Sequence, residues 1–203
     1  MDVGQRATLG PNRRAADASE PAAERRRMIS ADETAARMRT AAEHEQRILR
    51  RLVGAGWAAY PFGQAQLPTV CRDQLCRFED GARRPSLLRW LPDLIAFRTV
   101  GRRTLVHLVD AKCAIDDTPN YAIAMSAVEA AEVLTDRFYT PTFFVFDDWG
   151  VVTPRDARQR GVPGPAPRDG RGSGTPYLLI RKCHARPFDQ IFPSVKPQAD
   201  PND

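Results

Sequence analysis

The chain has 203 residues, 42% of them hydrophobic, with 30 basic and 25 acidic side chains and a net charge of +5. This length fits one domain with extensions, and the absence of an 18-residue apolar run argues against a membrane-spanning helix. The basic balance favours a polyanionic partner. Residues 1–29 lack an apolar period, so we expect a disordered, basic, Ala-rich tail. They also lack the apolar segment of a secretory signal, and we therefore expect a cytoplasmic protein.

The first predicted element is a helix that starts at the capping box Ser30 to Glu33 and ends near Val53, before Gly54 and Gly56. Its period indicates an apolar stripe formed by Met38, Ala41, Ala42, Ile48, Leu49, Leu52 and Val53. Glu45 falls within the gap of this stripe and should face the core, whereas Glu43 falls on the wet face. Glu45 is therefore the acid that can reach a site packed under the helix. The alternative is a partly buried acid paired with an arginine.

A first strand is predicted over residues 57–62, followed by a long irregular insertion over 63–89. A loop of this length is usually functional or disordered, so the alternatives are a substrate-facing loop and a mobile solvated one. Its arginines are candidate ligands for a polyanion: Arg72, Arg77, Arg83, Arg84 and Arg89.

Two short apolar runs, residues 92–97 and 104–112, predict a β-hairpin. A two-residue turn at Gly101 and Arg102 sets Asp93 opposite Asp110, whereas an odd loop or a bulge would shift the register by one. Alternation places Lys112 on the face of Asp110. Opposed carboxylates repel, and a divalent cation such as Mg²⁺, helped by the Ala111 carbonyl, would resolve this repulsion. The alternative is a surface hairpin with scattered charges.

The remaining elements are a helix over 121–137, a buried strand and a shorter one over 141–154, a flexible loop over 154–175, and a last strand over 176–182. We expect a single domain over 30–192 and a loose tail over 193–203. A zinc site could be formed by Cys71, Cys76, Cys183 and His184. The spacings between these residues, however, are not those of standard zinc fingers. Zinc is therefore the weaker alternative, and Cys113 is expected to be a buried small apolar residue.

These residues resemble the PD-(D/E)xK nuclease superfamily, which has the restriction-endonuclease-like fold: Pro92-Asp93 is followed by Asp110-Ala111-Lys112. The resemblance implies an α/β fold with an αβββαβ core, a central mixed sheet and flanking helices. Glu45 lies eleven residues before Gly56-Trp57, a spacing similar to that of archaeal-type Holliday junction resolvases. Asp110 departs from that subfamily, which usually has Glu at this position, and so do the insertions.

The resemblance implies a Mg²⁺-dependent DNA endonuclease, with Mn²⁺ as a substitute ion and no organic cofactor. Asp93, Asp110 and the Ala111 carbonyl would hold the metal, Lys112 would stabilise developing charge, and Glu45 would ligate a second ion or position a hydrated one. The implied partners are DNA and a second copy of the chain, and no membrane. The implied role is that of a junction-resolvase-like or mobile-element nuclease. The alternatives are a restriction-type or transposon-end endonuclease and an inactive DNA-binding fold.

Overall fold

The computed structural model describes residues 31–80, 87–114, 118–165 and 175–194. Within them, a six-stranded mixed sheet forms the centre of the chain, with strand order β1-β2-β3-β5-β6-β9. Its strands are β1 (Ala58–Pro61), β2 (Leu94–Val100), β3 (Arg103–Lys112), β5 (Thr142–Phe146), β6 (Gly150–Val152) and β9 (Arg186–Pro187). Strands β3 and β5 are parallel, because helix α3 carries the chain back between them, and the other neighbours are antiparallel.

A second sheet has three strands in the order β4-β8-β7: β4 (Asn120–Ala124), β7 (Val162–Pro163) and β8 (Tyr177–Arg181). The helices are α1 (Ala31–Gly54), α2 (Thr69–Asp80), α3 (Met125–Arg137), α4 (Pro154–Arg160) and α5 (Phe188–Ile191). Single 3₁₀ turns cover Gln64–Gln66 and Lys182–His184.

Two apolar cores lie on the two faces of the six-stranded sheet. The first packs Ile48 and Leu52 of α1 against Val109 and Val145, and α5 closes it with fully buried Phe188. The second packs α3 and the smaller sheet against Phe144 and Phe146 and their neighbours. The alternation of β3 explains this arrangement, since Val109 and Ala111 point into the first core and Asp110 and Lys112 point to the other face.

The predicted αβββαβ core and mixed sheet with flanking helices are confirmed by this element order. The hairpin register is also confirmed, because Val100 pairs with Arg103 across Gly101 and Arg102. Gly101 has φ +59° and Arg102 a negative φ, as a type II′ turn requires.

Several sequence predictions are wrong in detail. The stretch 63–89 is not irregular throughout, since α2 forms within it, and the stretch 154–175 begins with α4 and β7. The helix expected from Tyr121 starts only at Met125, because residues 120–124 pair with β8 as a strand. The strand over 177–181 extends the small sheet instead of the main one.

Side-chain burial corrects further predictions. Met38, Ala42 and Val53 are exposed, Met38 at 62% and Val53 at 53%, and do not belong to the apolar stripe of α1. Cys113 is exposed instead of buried. The predicted tail over 1–29 and all but the first two residues of the one over 193–203 lie outside the described residues. No helix in the described part of the chain is long and apolar enough to cross a membrane.

Candidate metal centre

The candidate centre lies where the β2–β3 hairpin is closed at its base. The last pair of the ladder is Leu94 opposite Val109, and one further step in this register sets Asp93 opposite Asp110. Asp93 Oδ2 accepts a hydrogen bond of 2.8 Å from the Ala111 N–H. Since the N–H and C=O of one strand residue point to the same neighbour, the Ala111 carbonyl is also directed towards the Asp93 side.

The chain leading into α2 fixes the backbone of Asp93. The backbone carbonyl of Asp93 accepts hydrogen bonds from the N–H groups of Phe62, at 2.7 Å, and Gly63, at 3.2 Å. Gly63 is buried so close to this segment that a Cβ there would lie 2.9 Å from the Pro92 oxygen and 3.0 Å from Asp93 Cα. Glycine is therefore needed here for close backbone approach, not for an unusual φ, which is −68°.

Asp110 and Lys112 form a close ion pair beside Asp93. Lys112 Nζ lies 2.5 Å from Asp110 Oδ1, and Asp110 is only 7% exposed. Burial favours the neutral amine, but the charges of Asp110 and Asp93 outweigh this effect and raise the pKa of Lys112. Lys112 therefore stays a cation, and a quarter of its side chain remains open to solvent.

The surroundings of Asp93 strongly perturb its carboxyl group. Burial, the charge of Asp110 and a hydrogen bond between the two carboxyl groups raise the pKa of Asp93 to about 8, against the opposing effects of Lys112 and the Ala111 N–H. Without a cation, a proton on Asp93 would relieve the repulsion between the two groups. A divalent cation would take the place of this proton.

Glu45 lies within electrostatic reach of this pair. Burial, followed by the negative charge of Asp110, raises the pKa of Glu45, and Lys112 opposes the shift. The structure thus sets Asp93, Asp110 and Lys112 side by side at the base of the hairpin, and Glu45 of α1 lies within the electrostatic field of Asp110 and Lys112. These four side chains and the Ala111 backbone are the ones that the sequence singled out.

The donor set fits Mg²⁺. In the described part of the chain, no three His, Cys, Asp or Glu side chains are grouped tightly enough to hold a metal ion by themselves. Mg²⁺, however, usually retains several waters and takes only one or two carboxylates from the protein. Asp93 and Asp110 with a nearby carbonyl offer the hard oxygen ligands that this ion prefers.

The predicted DNA-binding arginines are only partly described. Arg72 lies on α2 and donates a 3.0 Å hydrogen bond to Thr69 Oγ1, and Arg89 stacks 5.8 Å from the Trp90 ring centre. Arg83 and Arg84, and the side chain of Arg77, lie outside the described residues. Within the described residues, no hydrogen bond or ion pair joins Arg72 to the side chains of the centre.

Two features of this end of the sheet escaped the sequence analysis. His44 is 1% exposed and lies on α1 beside Glu45. Its spacing of four from Ile48, and of eight from Leu52, could have revealed it as an inward residue. Tyr121 donates a 2.6 Å hydrogen bond to Asp148 Oδ1 and stacks on Phe146, and this contact depends on a strand pairing that the local sequence does not show.

Comparisons with known proteins give only distant similarities. No protein-family model matches the chain, and no curated protein matches it. Among solved structures, it is similar to the Holliday junction resolvase of Archaeoglobus fulgidus, with 11% identity and a TM-score of 0.45, over 77% of this chain and 98% of the resolvase. It is also similar to a nuclease from a fusselovirus, with 10% identity and a TM-score of 0.40, over 78% and 89% of the two chains. Similarities this low establish no activity, which must be inferred from the centre itself.

Proposed function

We propose that this chain is a Mg²⁺-dependent DNA endonuclease that hydrolyses phosphodiester bonds, with Mn²⁺ as a substitute ion. The observation that supports this proposal most is the arrangement at the base of the hairpin, where Asp93 accepts from the Ala111 N–H and the buried Asp110 lies beside the Lys112 ammonium. Such carboxylates are costly to bury without a charge to balance them. The PD-(D/E)xK resemblance assigns the same residues to metal binding.

In this proposal each side chain has one task. Asp93, Asp110 and the Ala111 carbonyl hold the ion, and Glu45 positions a second ion or a hydrated one. Mg²⁺, when bound, supplies a Lewis acid for the phosphate and lowers the pKa of a coordinated water. Lys112, kept cationic by Asp110 and Asp93, stabilises the negative charge that develops on the phosphate during attack.

DNA is the proposed substrate. The arginines of 72–89 would hold its backbone and give largely sequence-independent, salt-sensitive binding. The spacing of Glu45 from Gly56-Trp57 favours a junction-resolvase-like or mobile-element nuclease, and a restriction-type or transposon-end endonuclease is the alternative. A homodimer would supply the two centres that two-strand cutting needs, and light scattering of the purified chain tests this part.

The substrate is tested by a cleavage panel. Wild-type protein is incubated with supercoiled, linear and four-way-junction DNA, each with Mg²⁺ and with EDTA. We expect cleavage in Mg²⁺ alone, with paired symmetric nicks in the junction if the chain is resolvase-like. A requirement for one sequence would favour the restriction-type alternative. Binding of all three forms without cleavage of any, in Mg²⁺ and in Mn²⁺, would favour the inactive DNA-binding fold.

A further inference from the structure

A buried histidine joins helix α1 to the parallel strands next to the candidate centre. His44 precedes Glu45, and its Nε2 lies 3.2 Å from the carbonyl oxygen of Val145. Val145 pairs with Ala111 in the β3–β5 ladder. Because a carbonyl can only accept a hydrogen bond, Nε2 carries the ring proton and donates it to Val145.

The other ring nitrogen then has a free lone pair. Arg47 Nη2 lies 3.5 Å from His44 Nδ1, at the outer limit of hydrogen bonding. A guanidinium can only donate, so Nδ1 is the acceptor, and both contacts require the same neutral tautomer. The Val145 carbonyl thus fixes the His44 ring, and the ring directs the Arg47 guanidinium.

Arg47 places a positive charge at the end of β3 that carries Lys112. Its side chain is exposed. It contacts the His44 ring, which binds Val145, and Val145 pairs with Ala111 next to Lys112, so Arg47 lies near this end of β3. The guanidinium remains open to solvent there.

The surroundings of Arg47 differ from those of two arginines that are paired with carboxylates. Arg51, one turn further along α1, makes a bidentate ion pair with Asp189, and Arg158 does so with Glu132. Arg47 has no carboxylate within ion-pair distance in the part of the chain that the structure describes, and its contact is with a neutral ring. Its guanidinium is therefore not paired with a carboxylate and remains available to an anion such as a phosphate.

We propose that Arg47 binds a DNA backbone phosphate next to the scissile one, and that His44 is a positioning residue that acts through Arg47. The inference rests on the proposed function, since it places DNA at the Asp93–Asp110 centre. It adds a contact on α1 to the arginines of 72–89. The guanidinium donates to the phosphate oxygens and would release about one counterion on binding.

The test measures DNA binding apart from cleavage. Binding of a fluorescent duplex is followed by anisotropy in EDTA over a series of salt concentrations, for the wild type, Arg47→Gln, Arg47→Lys and Arg102→Gln. We expect Arg47→Gln to weaken binding severalfold and to reduce the slope of log affinity against log salt by about 0.9. Arg47→Lys should retain the slope, because it retains the charge.

Arg102→Gln is the matched control, since it removes the same charge at the exposed turn of the hairpin, at the far end from Asp93. It should show the wild-type slope. An equal loss of slope in Arg102→Gln, or no loss in Arg47→Gln, would overturn the inference. If the wild type cleaves DNA in a parallel assay with Mg²⁺, the proposed function stands even when the inference about Arg47 fails. If the wild type neither binds nor cleaves DNA, the proposed function itself fails.

The positioning role is tested by a double variant. The single variant His44→Gln should weaken DNA binding. In the Arg47→Gln background it should weaken binding no further, because both changes remove the same phosphate contact. Additive losses in variants that melt at the wild-type temperature would show that His44 does not act through Arg47. Variants that melt lower are compared by binding at a temperature where all remain folded.

Discussion

Asp93 is the residue whose ionisation most directly reports a cation site. Its carboxyl group is buried against Asp110, and in the absence of a metal its pKa is raised from an ordinary value of 3.8 to about 8. Between these two values the folded chain holds a proton that the unfolded chain has released. The contribution of Asp93 to the free energy of unfolding therefore falls as the pH rises through this window and is constant on either side of it.

Replacing this acid should remove this contribution. Asp93→Asn, unfolded with urea in EDTA at pH 5 and pH 8, should lose the decrease that Asp93 contributes in the wild type, because the amide does not ionise. Mg²⁺ should raise the melting temperature of the wild type at pH 8 and leave that of Asp93→Asn unchanged, while DNA binding persists. Asp136→Asn, an exposed acid on α3, is the control and should behave as the wild type. An equal change in the free energy of unfolding between pH 5 and pH 8 in the wild type and in Asp93→Asn would contradict the raised pKa of Asp93.

Gly63 should be as sensitive as the charged residues, because the Asp93 backbone lies against it. A methyl group there would lie 2.9 Å from the Pro92 oxygen, so Gly63→Ala must displace this segment. We expect cleavage to fall by about tenfold or more and stability by about 1–3 kcal/mol. Gly54→Ala, which meets no atom within 4 Å, should leave both unchanged, as measured by cleavage rates and urea unfolding. Equal effects of the two substitutions would argue against close approach at Gly63.

At the scale of elements, the hairpin turn sets which residues meet at the centre. Gly101 has φ +59°, a conformation that disfavours side chains with a branched β-carbon. Gly101→Val should lower the free energy of unfolding by about 1–2 kcal/mol, and Gly101→Asn by less, since Asn tolerates this region. Urea unfolding measures both. The opposite order, with Asn more destabilising than Val, would contradict the turn type and the register built on it.

The packing of α1 determines whether Glu45 reaches the centre. Ile48 is fully buried one turn after His44, so Ile48→Ala should lower stability by about 2–5 kcal/mol and reduce cleavage. Val53→Ala, on the exposed side of the same helix, should change neither by much. Chemical unfolding and cleavage rates measure the two effects, and equal losses for the two variants would show that α1 packs with a different face.

Local sequence specified the elements whose patterns are short-range. The hairpin could be predicted because its turn residues and its opposed acids are all within one 21-residue stretch. Helix α4 was also predictable, since Thr153 caps it by accepting from the Asp156 N–H and Pro154 follows at its first position. The Pro- and Gly-rich residues beyond it obscured this pattern.

Strand β4 could not have been predicted in the same way. Its five residues run directly into α3 without a turn, and their strand state depends on pairing with β8, from Asn120 opposite Arg181 to Ala124 opposite Tyr177. Contacts over such separations override local preference. The hydrogen bond of His44 has a similar origin, because its partner Val145 lies 101 residues away.

For the whole molecule, the proposed centre combines groups from distant parts of one chain. The hairpin supplies Asp93, Asp110 and Lys112. Helix α1, which packs on the first core, supplies Glu45. Rigid strands thus hold the acids, while the net charge of +5 favours a polyanionic substrate. An enzyme of this kind should lose cleavage when one acid becomes a neutral amide, without losing its fold.

The most direct measurement of this claim is nicking of supercoiled DNA in Mg²⁺ by Asp110→Asn beside Asp136→Asn and the wild type. Asp110→Asn retains the shape of the side chain but removes the charge that pairs with Lys112. We predict loss of cleavage by at least about a hundredfold, with unchanged DNA binding in EDTA, and wild-type activity for Asp136→Asn. Wild-type cleavage by Asp110→Asn in Mg²⁺ would contradict the assignment of the centre.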